Sequence, residues 1–215
     1  MGPMVSRSTA AFVVMVLAAL TPAGALEQTT VPFGSFRLGG LPDEIEPLHS
    51  SGAEPGDWRI QRFDGRTTLA QVRASEAGYQ LAVLRSESLR DLTVSVRIRT
   101  GEQGDRAAGL AWRVHDAGNY FAARLDLRDR QFVLYKFVRG NRVSLDTVRD
   151  LRVDESEWHN LVVEHIDQEI RVWLNGVPVA RERDGSLGAG RFGVWMPSDS
   201  TAYFDNLQYR SLEGR

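Results

Sequence analysis

The chain has 215 residues, of which 42% are hydrophobic, and a formal net charge of −2. This size and composition suffice for one buried core, and the nearly neutral charge argues against a nucleic acid or an anionic membrane surface as a partner. Because the chain has no cysteine, disulfides, thiolate nucleophiles and cysteine-zinc sites are excluded.

The first 25 residues have the pattern of an export signal. Arg7 supplies a small positive region, residues 10–20 form an apolar run too short to span a bilayer, and Ala23-Gly24-Ala25 fits a signal-peptidase site. The alternative is an uncleaved membrane anchor. We expect a signal peptide at residues 1–25, one domain at residues 26–215, no stable membrane span after signal removal, and a periplasmic or secreted location.

Short strands are predicted along most of the remaining chain. Residues 26–57 contain four prolines, which favour turns and extended pieces, and Phe33 and Phe36 predict a short first strand. Later strands are predicted at Trp58–Gln61, Thr68–Val72, Tyr79–Leu84, Leu92–Arg99, Ala108–Val114, Tyr120–Leu127, Phe132–Val138 and Arg142–Val148. No amphipathic helix longer than a turn or two and no repeat of fixed period interrupts them.

The stretch from residue 158 to residue 209 continues this strand pattern. Asn175-Gly176 stands between alternating runs, where a two-residue hairpin turn needs positive φ at both positions. A last strand contains Phe204-Asp205-Asn206. About a dozen short strands at this spacing predict an all-β fold, an antiparallel two-sheet jelly-roll sandwich.

Three blocks of sequence resemble a known superfamily. They are GDRAAGLAWRVHDAGNYFAARLDLRDRQFVLYK at 104–136, WHNL at 158–161, and GVWMPSDSTAYFDNL at 193–207. The chain resembles the concanavalin A-like lectin/glucanase superfamily, and within it the 3-keto-disaccharide hydrolase-like and laminin-G-like domains. The resemblance implies a concanavalin A-like sandwich, which hosts lectins, hydrolases and adhesion modules alike. The third block departs from the pattern, because Pro197 replaces a lysine.

Motifs for hydrolysis are incomplete. Glycoside hydrolysis ordinarily needs two flanking carboxyl groups, and the nearest approach, Glu182-Arg183-Asp184, lacks the third acid of the glucanase motif. No G-x-S-x-G elbow is present, and the four histidines lack metal-ligand spacing. The acids Asp154, Glu155 and Glu157 allow calcium through oxygen ligands but do not indicate it, and a solvated loop is the alternative. We predict no cofactor and no metal site.

Candidate ligand-binding residues lie on one predicted strand face and in a closing loop. In the strand Tyr120–Leu127 the odd-numbered residues are expected to face the core and the even-numbered ones to face solvent. Sugars stack on aromatic rings and pair with charged groups. The candidates are Arg113, Tyr120, Arg124, Asp126, Trp195 and Asp199. The alternatives are core or rim packing for Trp195 and ion pairing for the two arginines.

Three functions follow from these observations. The first is an exported protein that binds a carbohydrate or glycoconjugate without chemistry. The second, implied by the resemblance, is a hydrolase or lyase acting on 3-keto-glycosides, with Asp126 or His115 as base and Arg113 or Arg124 as stabiliser of the negative charge. The third is a module that mediates protein contacts and binds no sugar.

Overall fold

The structure is a computed structural model that describes residues 28–75, 77–86, 88–102 and 104–213. The predicted signal peptide lies outside these ranges, and within them no helix is long and apolar enough to cross a bilayer. A 3-10 helix covers Phe33–Ser35. The strands are β1 (Thr29–Thr30), β2 (Ile45–His49), β3 (Trp58–Phe63), β4 (Arg66–Gln71), β5 (Tyr79–Leu84), β6 (Leu92–Thr100), β7 (Ala107–Asp116), β8 (Asn119–Asp126), β9 (Gln131–Val138), β10 (Asn141–Val148), β11 (His159–Ile166), β12 (Glu169–Leu174), β13 (Val177–Arg183), β14 (Arg191–Pro197) and β15 (Ala202–Ser211).

These strands form two antiparallel sheets. The eight-stranded sheet has the order β13-β12-β11-β6-β15-β4-β3, with β1 paired to β15. The seven-stranded sheet has the order β10-β9-β8-β7-β14-β5-β2. The predicted all-β, antiparallel two-sheet jelly-roll sandwich is confirmed.

Local signals located most strands, with two exceptions near the start of the described chain. The Asn175-Gly176 turn between β12 and β13 has φ values of 51° and 80°, as the hairpin signal predicts. The predicted strand at Phe33 is wrong, because these residues form the 3-10 helix. β2 was not predicted, because it contains Pro47, which lacks a backbone donor; an edge strand such as β2 tolerates this loss.

The main core lies between the two sheets and is built by alternation along the strands. In β6, Leu92, Val94, Val96 and Ile98 are all fully buried, while the residues between them stay partly exposed. Full burial of each such side chain stabilises the fold by roughly 1.5–3 kcal/mol. The predicted alternation of this strand is therefore confirmed.

A second apolar cluster covers the other face of the seven-stranded sheet. We call it the outer-face cluster; it consists of Leu81, Val83, Ala111, Val114, Tyr120, Ala122, Val133, Tyr135, Phe137 and Trp195. In β8, Phe121 and its alternate neighbours pack into the main core, as predicted, but Tyr120 packs into the outer-face cluster. The expectation that this second face of β8 is solvated is wrong, because aromatic rings from the neighbouring strands cover it.

His165 is a buried histidine that makes the stability of the fold depend on pH. Its Nδ1 accepts a hydrogen bond from Trp112 Nε1 at 3.0 Å. Burial, together with the positive charge of Arg113, lowers the pKa of His165 from 6.5 to about 3. Between these two pH values the unfolded chain binds a proton that the folded chain does not. The contribution of neutral His165 to the free energy of unfolding is therefore fully present above pH 6.5 and is lost as the pH falls below it. We expect this residue to lower the free energy of unfolding by about 2 kcal/mol between pH 7 and pH 5.

Urea unfolding at the two pH values checks this expectation. His165→Gln keeps an acceptor for Trp112 but does not titrate, so its loss of stability on acidification should be smaller than that of the wild type by about 2 kcal/mol. The exposed His115 supplies the matched control, because His115→Gln should retain the full loss. Equal losses in the wild type and in His165→Gln would contradict the assignment.

Candidate functional site

A cleft of about 410 Å³ opens at the end of the seven-stranded sheet where β5 begins and β14 ends. This volume lies in the range of about 300–1,000 Å³ that is usual for ligand pockets. We call it the Arg124 cleft; its lining residues are Ser75, Ala77, Gly78, Tyr79, Asp105, Arg124, Arg142, Pro197, Ser198 and Asp199. Strand pairing brings these residues together from five segments of the chain.

Arg124, on β8, is the best-fixed charged group of the cleft. Its side chain is largely buried, and Nη2 donates hydrogen bonds to Asp126 Oδ2 at 2.6 Å and to Asp105 Oδ2 at 3.2 Å. Burial disfavours the charged guanidinium, but the negative charges of Asp126 and Asp105 and a hydrogen bond to Tyr135 outweigh burial and raise the pKa of Arg124. The cleft therefore holds a fixed positive charge at physiological pH.

Asp126 lies behind Arg124 and does not line the cleft. Its side chain is fully buried, and besides Arg124 it accepts hydrogen bonds from the backbone N–H of Asp129 at 2.9 Å and from Gln131 Nε2 at 3.4 Å. The expectation that its carboxylate faces solvent is wrong, since these donors and the sheet enclose it. Asp126 acts on the cleft by holding Arg124 in place.

Tyr79 and Arg142 supply an aromatic and cationic wall. The Arg142 guanidinium lies 5.8 Å from the ring centroid of Tyr79 and 5.0 Å from that of Tyr135. Tyr79 in turn stacks on Trp195, with ring centroids 5.0 Å apart. Sequence reasoning missed Tyr79, Arg142 and Asp105, because each stands in or beside a different strand and no local pattern marks it as functional.

Asp199 is exposed on a loop that backbone hydrogen bonds hold against the cleft. Ser75 N–H donates to Ser198 O at 2.7 Å, and Ser198 N–H donates to Gly78 O at 3.0 Å. On the other side Gly104, with φ of 70°, packs so closely that a Cβ atom there would lie 2.1 Å from Asp199 O. The loop thus presents the Asp199 carboxylate from a restrained backbone. Of the six candidate ligand-binding residues, Asp199 and Arg124 line this cleft.

A buried histidine–serine contact beside the cleft resembles a catalytic pair but has the wrong tautomer. His49 Nε2 lies 3.0 Å from Ser198 Oγ. Because the backbone N–H of Ser51 donates to Nδ1 at 3.2 Å, Nδ1 is the acceptor nitrogen and Nε2 carries the proton. Nε2 therefore donates to Ser198 instead of accepting its proton, as a general base would. The contact connects β2 to the Asp199 loop, and no sequence motif predicted it.

Tyr120 and Trp195 are buried in the outer-face cluster. Tyr120 stacks on Phe137 with ring centroids 4.4 Å apart, and its hydroxyl accepts a hydrogen bond from Trp195 Nε1 at 3.3 Å. Burial raises the pKa of the Tyr120 hydroxyl. The expectation that both side chains line a solvent-facing surface is wrong. Trp195 contacts the cleft only indirectly, by stacking on Tyr79, which lines it.

Arg113 and His115 lie toward the opposite end of β7. Arg113 is fully buried, so its expected position on a solvent-facing surface is wrong. His115 is exposed, but it lies far from Arg124. Gly109 is the residue of β7 that pairs with Arg124, and His115 comes six residues after Gly109, or about 20 Å further along the strand. Of the residues suggested for 3-keto-glycoside chemistry, the structure therefore brings together Arg124 and Asp126 and leaves Arg113 and His115 away from them.

Two of the three acidic residues suggested as possible calcium ligands have side-chain partners in the protein. Glu155 pairs with Arg106, and Asp154 accepts hydrogen bonds from the backbone N–H of Ser156 at 2.8 Å and from its hydroxyl at 2.7 Å. The part of the chain that the structure describes contains no group of three or more histidine, aspartate or glutamate side chains that could hold a metal ion.

Comparison with known proteins gives structural neighbours without sequence relatives. No protein-family model matches the chain, and no curated protein matches it. The carbohydrate binding module CBM66 from Bacillus subtilis superposes with a TM-score of 0.63 at 21% identity, over 80% of this chain and 99% of that one. A protein of unknown function with a galectin-like fold, also from Bacillus subtilis, gives a TM-score of 0.58 at 13% identity, over 78% and 89%.

A larger enzyme contains a similar sandwich. The xylan beta-1,4-xylosidase from Bacillus halodurans C-125 gives a TM-score of 0.56 at 14% identity, over 74% of this chain but only 35% of that one. At such identities the likeness concerns the fold alone. The neighbours agree with an antiparallel two-sheet β-sandwich.

Proposed function

We propose that this chain is an exported protein that binds a saccharide or glycoconjugate non-covalently in the Arg124 cleft. The observation that carries the proposal is the convergence of Arg124, Asp199, Asp105, Arg142 and Tyr79 on one cleft of about 410 Å³. The signal-peptide pattern of residues 1–25 supports a periplasmic or secreted location.

The chemistry of the lining suits a polyhydroxylated ligand. Guanidinium groups donate hydrogen bonds and carboxylates accept them, so together they pair with hydroxyls in both directions. The Tyr79 ring is an aromatic surface of the kind on which the C–H side of a sugar ring stacks, and such stacking requires the Arg142 guanidinium over the ring to move aside. Arg124 is held by two carboxylates before any ligand arrives, and such preorganisation lowers the cost of binding.

The fold neighbours add support of a different kind. One of them is a carbohydrate binding module and another a xylosidase, so sandwiches of this shape occur in proteins that bind or process sugars. Catalysis has weaker support, because Asp126 is enclosed and His115 lies outside the cleft. Binding without chemistry is therefore preferred over hydrolysis or elimination at 3-keto-glycosides.

The test follows the proton NMR signals of sugars mixed with protein expressed from the full-length sequence. The panel contains disaccharides, their 3-keto forms and longer glycans. We expect line broadening of at least one sugar, without new signals. Because a hydrogen bond to a charged group contributes about 1.5–3 kcal/mol, Asp199→Ala and Arg142→Ala should each weaken binding about tenfold or more.

Control variants separate the alternatives. Arg62 is exposed on β3 in the other sheet, so Arg62→Ala should bind like the wild type. New sugar signals that disappear in Arg124→Ala would establish a lyase or hydrolase and overturn the proposal. Absence of broadening across the panel would also overturn it and would leave a protein-contact module.

A further inference from the structure

The outer face of the eight-stranded sheet carries a second concave site, which belongs to neither the Arg124 cleft nor the main core. It is a groove of about 480 Å³ across β15, β6 and β11. We call it the outer groove. Its polar lining includes Thr93 and Ser95 on β6, Asn160 on β11, and Asn206 and Gln208 on β15.

The pairing of the strands explains why a groove forms here. Ser95 on the central strand β6 is a small residue between Gln208 on β15 and Val162 on β11, both longer and both in register with it. The floor is therefore lower than the two walls. Trp173 on β12 pairs with Val162 and extends the second wall with a partly exposed ring.

An irregularity in β15 raises the first wall. The register between β15 and β6 shifts between Asp205 and Gln208, which inserts one extra residue into β15. Asn206, with φ of 52°, is exposed at the groove, whereas Leu207 is buried in the core. Asparagine tolerates this left-handed backbone, so the bulge places an amide at the rim without strain from a bulkier side chain.

Several polar groups of the groove have no protein partner. Among the described residues, the side chains of Ser95, Asn160 and Asn206 make no hydrogen bond, and Thr93 Oγ1 is buried without one. Buried polar groups are nearly always hydrogen-bonded, so an unpartnered hydroxyl beneath a groove calls for a ligand or solvent partner.

The polar groups of the lining suit a polyhydroxylated ligand. No carboxylate lines the groove, and of its two arginines Arg97 is already engaged, 5.5 Å from the Trp158 ring centroid and 3.8 Å from Asp205, whereas Arg210 has no ion-pair partner among the described residues. Amide side chains both donate and accept hydrogen bonds, as sugar hydroxyls do. An extended peptide is less suitable, because β6 already pairs with β11 and β15 and offers no free strand edge.

We propose that the outer groove is a second saccharide-binding site, with Asn160 and Asn206 as its hydrogen-bonding residues. This site is on the other sheet from the Arg124 cleft and does not depend on it. A chain with both sites can hold two glycan segments at once, which raises its avidity for a branched or multivalent glycan.

The test maps amide chemical shifts of ¹⁵N-labelled protein, expressed from the full-length sequence, during titration with cellobiose, xylobiose, sucrose and diacetylchitobiose. Signals of Ser95, Asn206 and Gln208 should shift with at least one of these sugars. Asn206→Gly should fold normally because glycine suits the positive φ at this position, and Asn160→Ala should fold normally because the Asn160 side chain makes no hydrogen bond. Each variant should lower the affinity for the sugar, measured from these shifts, about tenfold.

Asp199→Ala separates this proposal from that for the Arg124 cleft. It should leave the shifts at the outer groove unchanged, whatever happens at the cleft. The proposal is overturned if no sugar shifts the groove signals, if the shifts survive Asn206→Gly and Asn160→Ala, or if an alanine hexapeptide shifts them and the sugars do not.

Discussion

Replacing Arg113 with leucine is expected to lower the free energy of unfolding by at least about 4 kcal/mol. The buried guanidinium donates to three backbone carbonyls, Arg90 O at 2.9 Å, Leu187 O at 3.0 Å and Asp167 O at 3.0 Å. Asp91 lies 3.6 Å away as its ion-pair partner. Each carbonyl left unpaired costs about 1–3 kcal/mol, and the loss of the ion pair to Asp91 adds to this cost.

Protonation does not complicate this expectation. Burial lowers the pKa of Arg113 to about 10, with partial compensation by Asp91, so the side chain stays charged at neutral pH. Urea unfolding followed by tryptophan fluorescence measures the effect. Arg62→Leu, an exposed control, should change stability by less than about 0.5 kcal/mol. A loss below about 1 kcal/mol in Arg113→Leu would show that the three loops do not depend on this side chain.

Replacing Asp126 with alanine is expected to lower the free energy of unfolding by about 3–5 kcal/mol and to abolish saccharide binding in the Arg124 cleft. The variant leaves the largely buried Arg124 without its nearest negative charge, and breaking one side of such a pair is strongly destabilising. Arg124 then keeps one carboxylate partner, Asp105 at 3.2 Å, and the hydrogen bond to Tyr135. Binding is lost because the guanidinium is no longer fixed.

Two comparisons separate positioning from general unfolding. Asp126→Asn retains the shape and one acceptor oxygen, so it should remain folded at 25 °C with binding weakened about tenfold. Asp129→Ala removes an exposed carboxylate of the same turn and should leave both stability and binding near wild type. Full binding by folded Asp126→Ala would show that Arg124 does not need Asp126.

Much of the fold was predictable because strand formation follows local rules. Alternation placed Leu92 to Ile98 correctly on the core side of β6, and the Asn175-Gly176 dipeptide located a hairpin turn from two residues alone. The errors near Phe33 and at β2 also have local causes. The segment around Phe33 is short and proline-rich, so it shows little periodicity. At β2, Pro47 argues against a strand unless the strand is known to lie at the edge of the sheet.

The candidate site was predictable only in part. The sequence pointed to Arg124 and Asp199, which do meet in the cleft, but it missed Tyr79, Asp105 and Arg142. Meeting in a cleft is a property of strand order: β5 and β14 are neighbours in the sheet although residues 84 and 191 are far apart along the chain. Residues that converge through such pairing carry no common local signal.

The sequence by itself determined most of the strands and which side of a strand each side chain takes, because both depend on a period of two and on turn residues. Only the tertiary structure decided what lies against each side. Tyr120 and Arg124 project from the same face of β8, yet one is sealed under Phe137 and Trp195 and the other reaches a cleft. That difference arises from side chains of distant strands, which alternation along one strand does not encode.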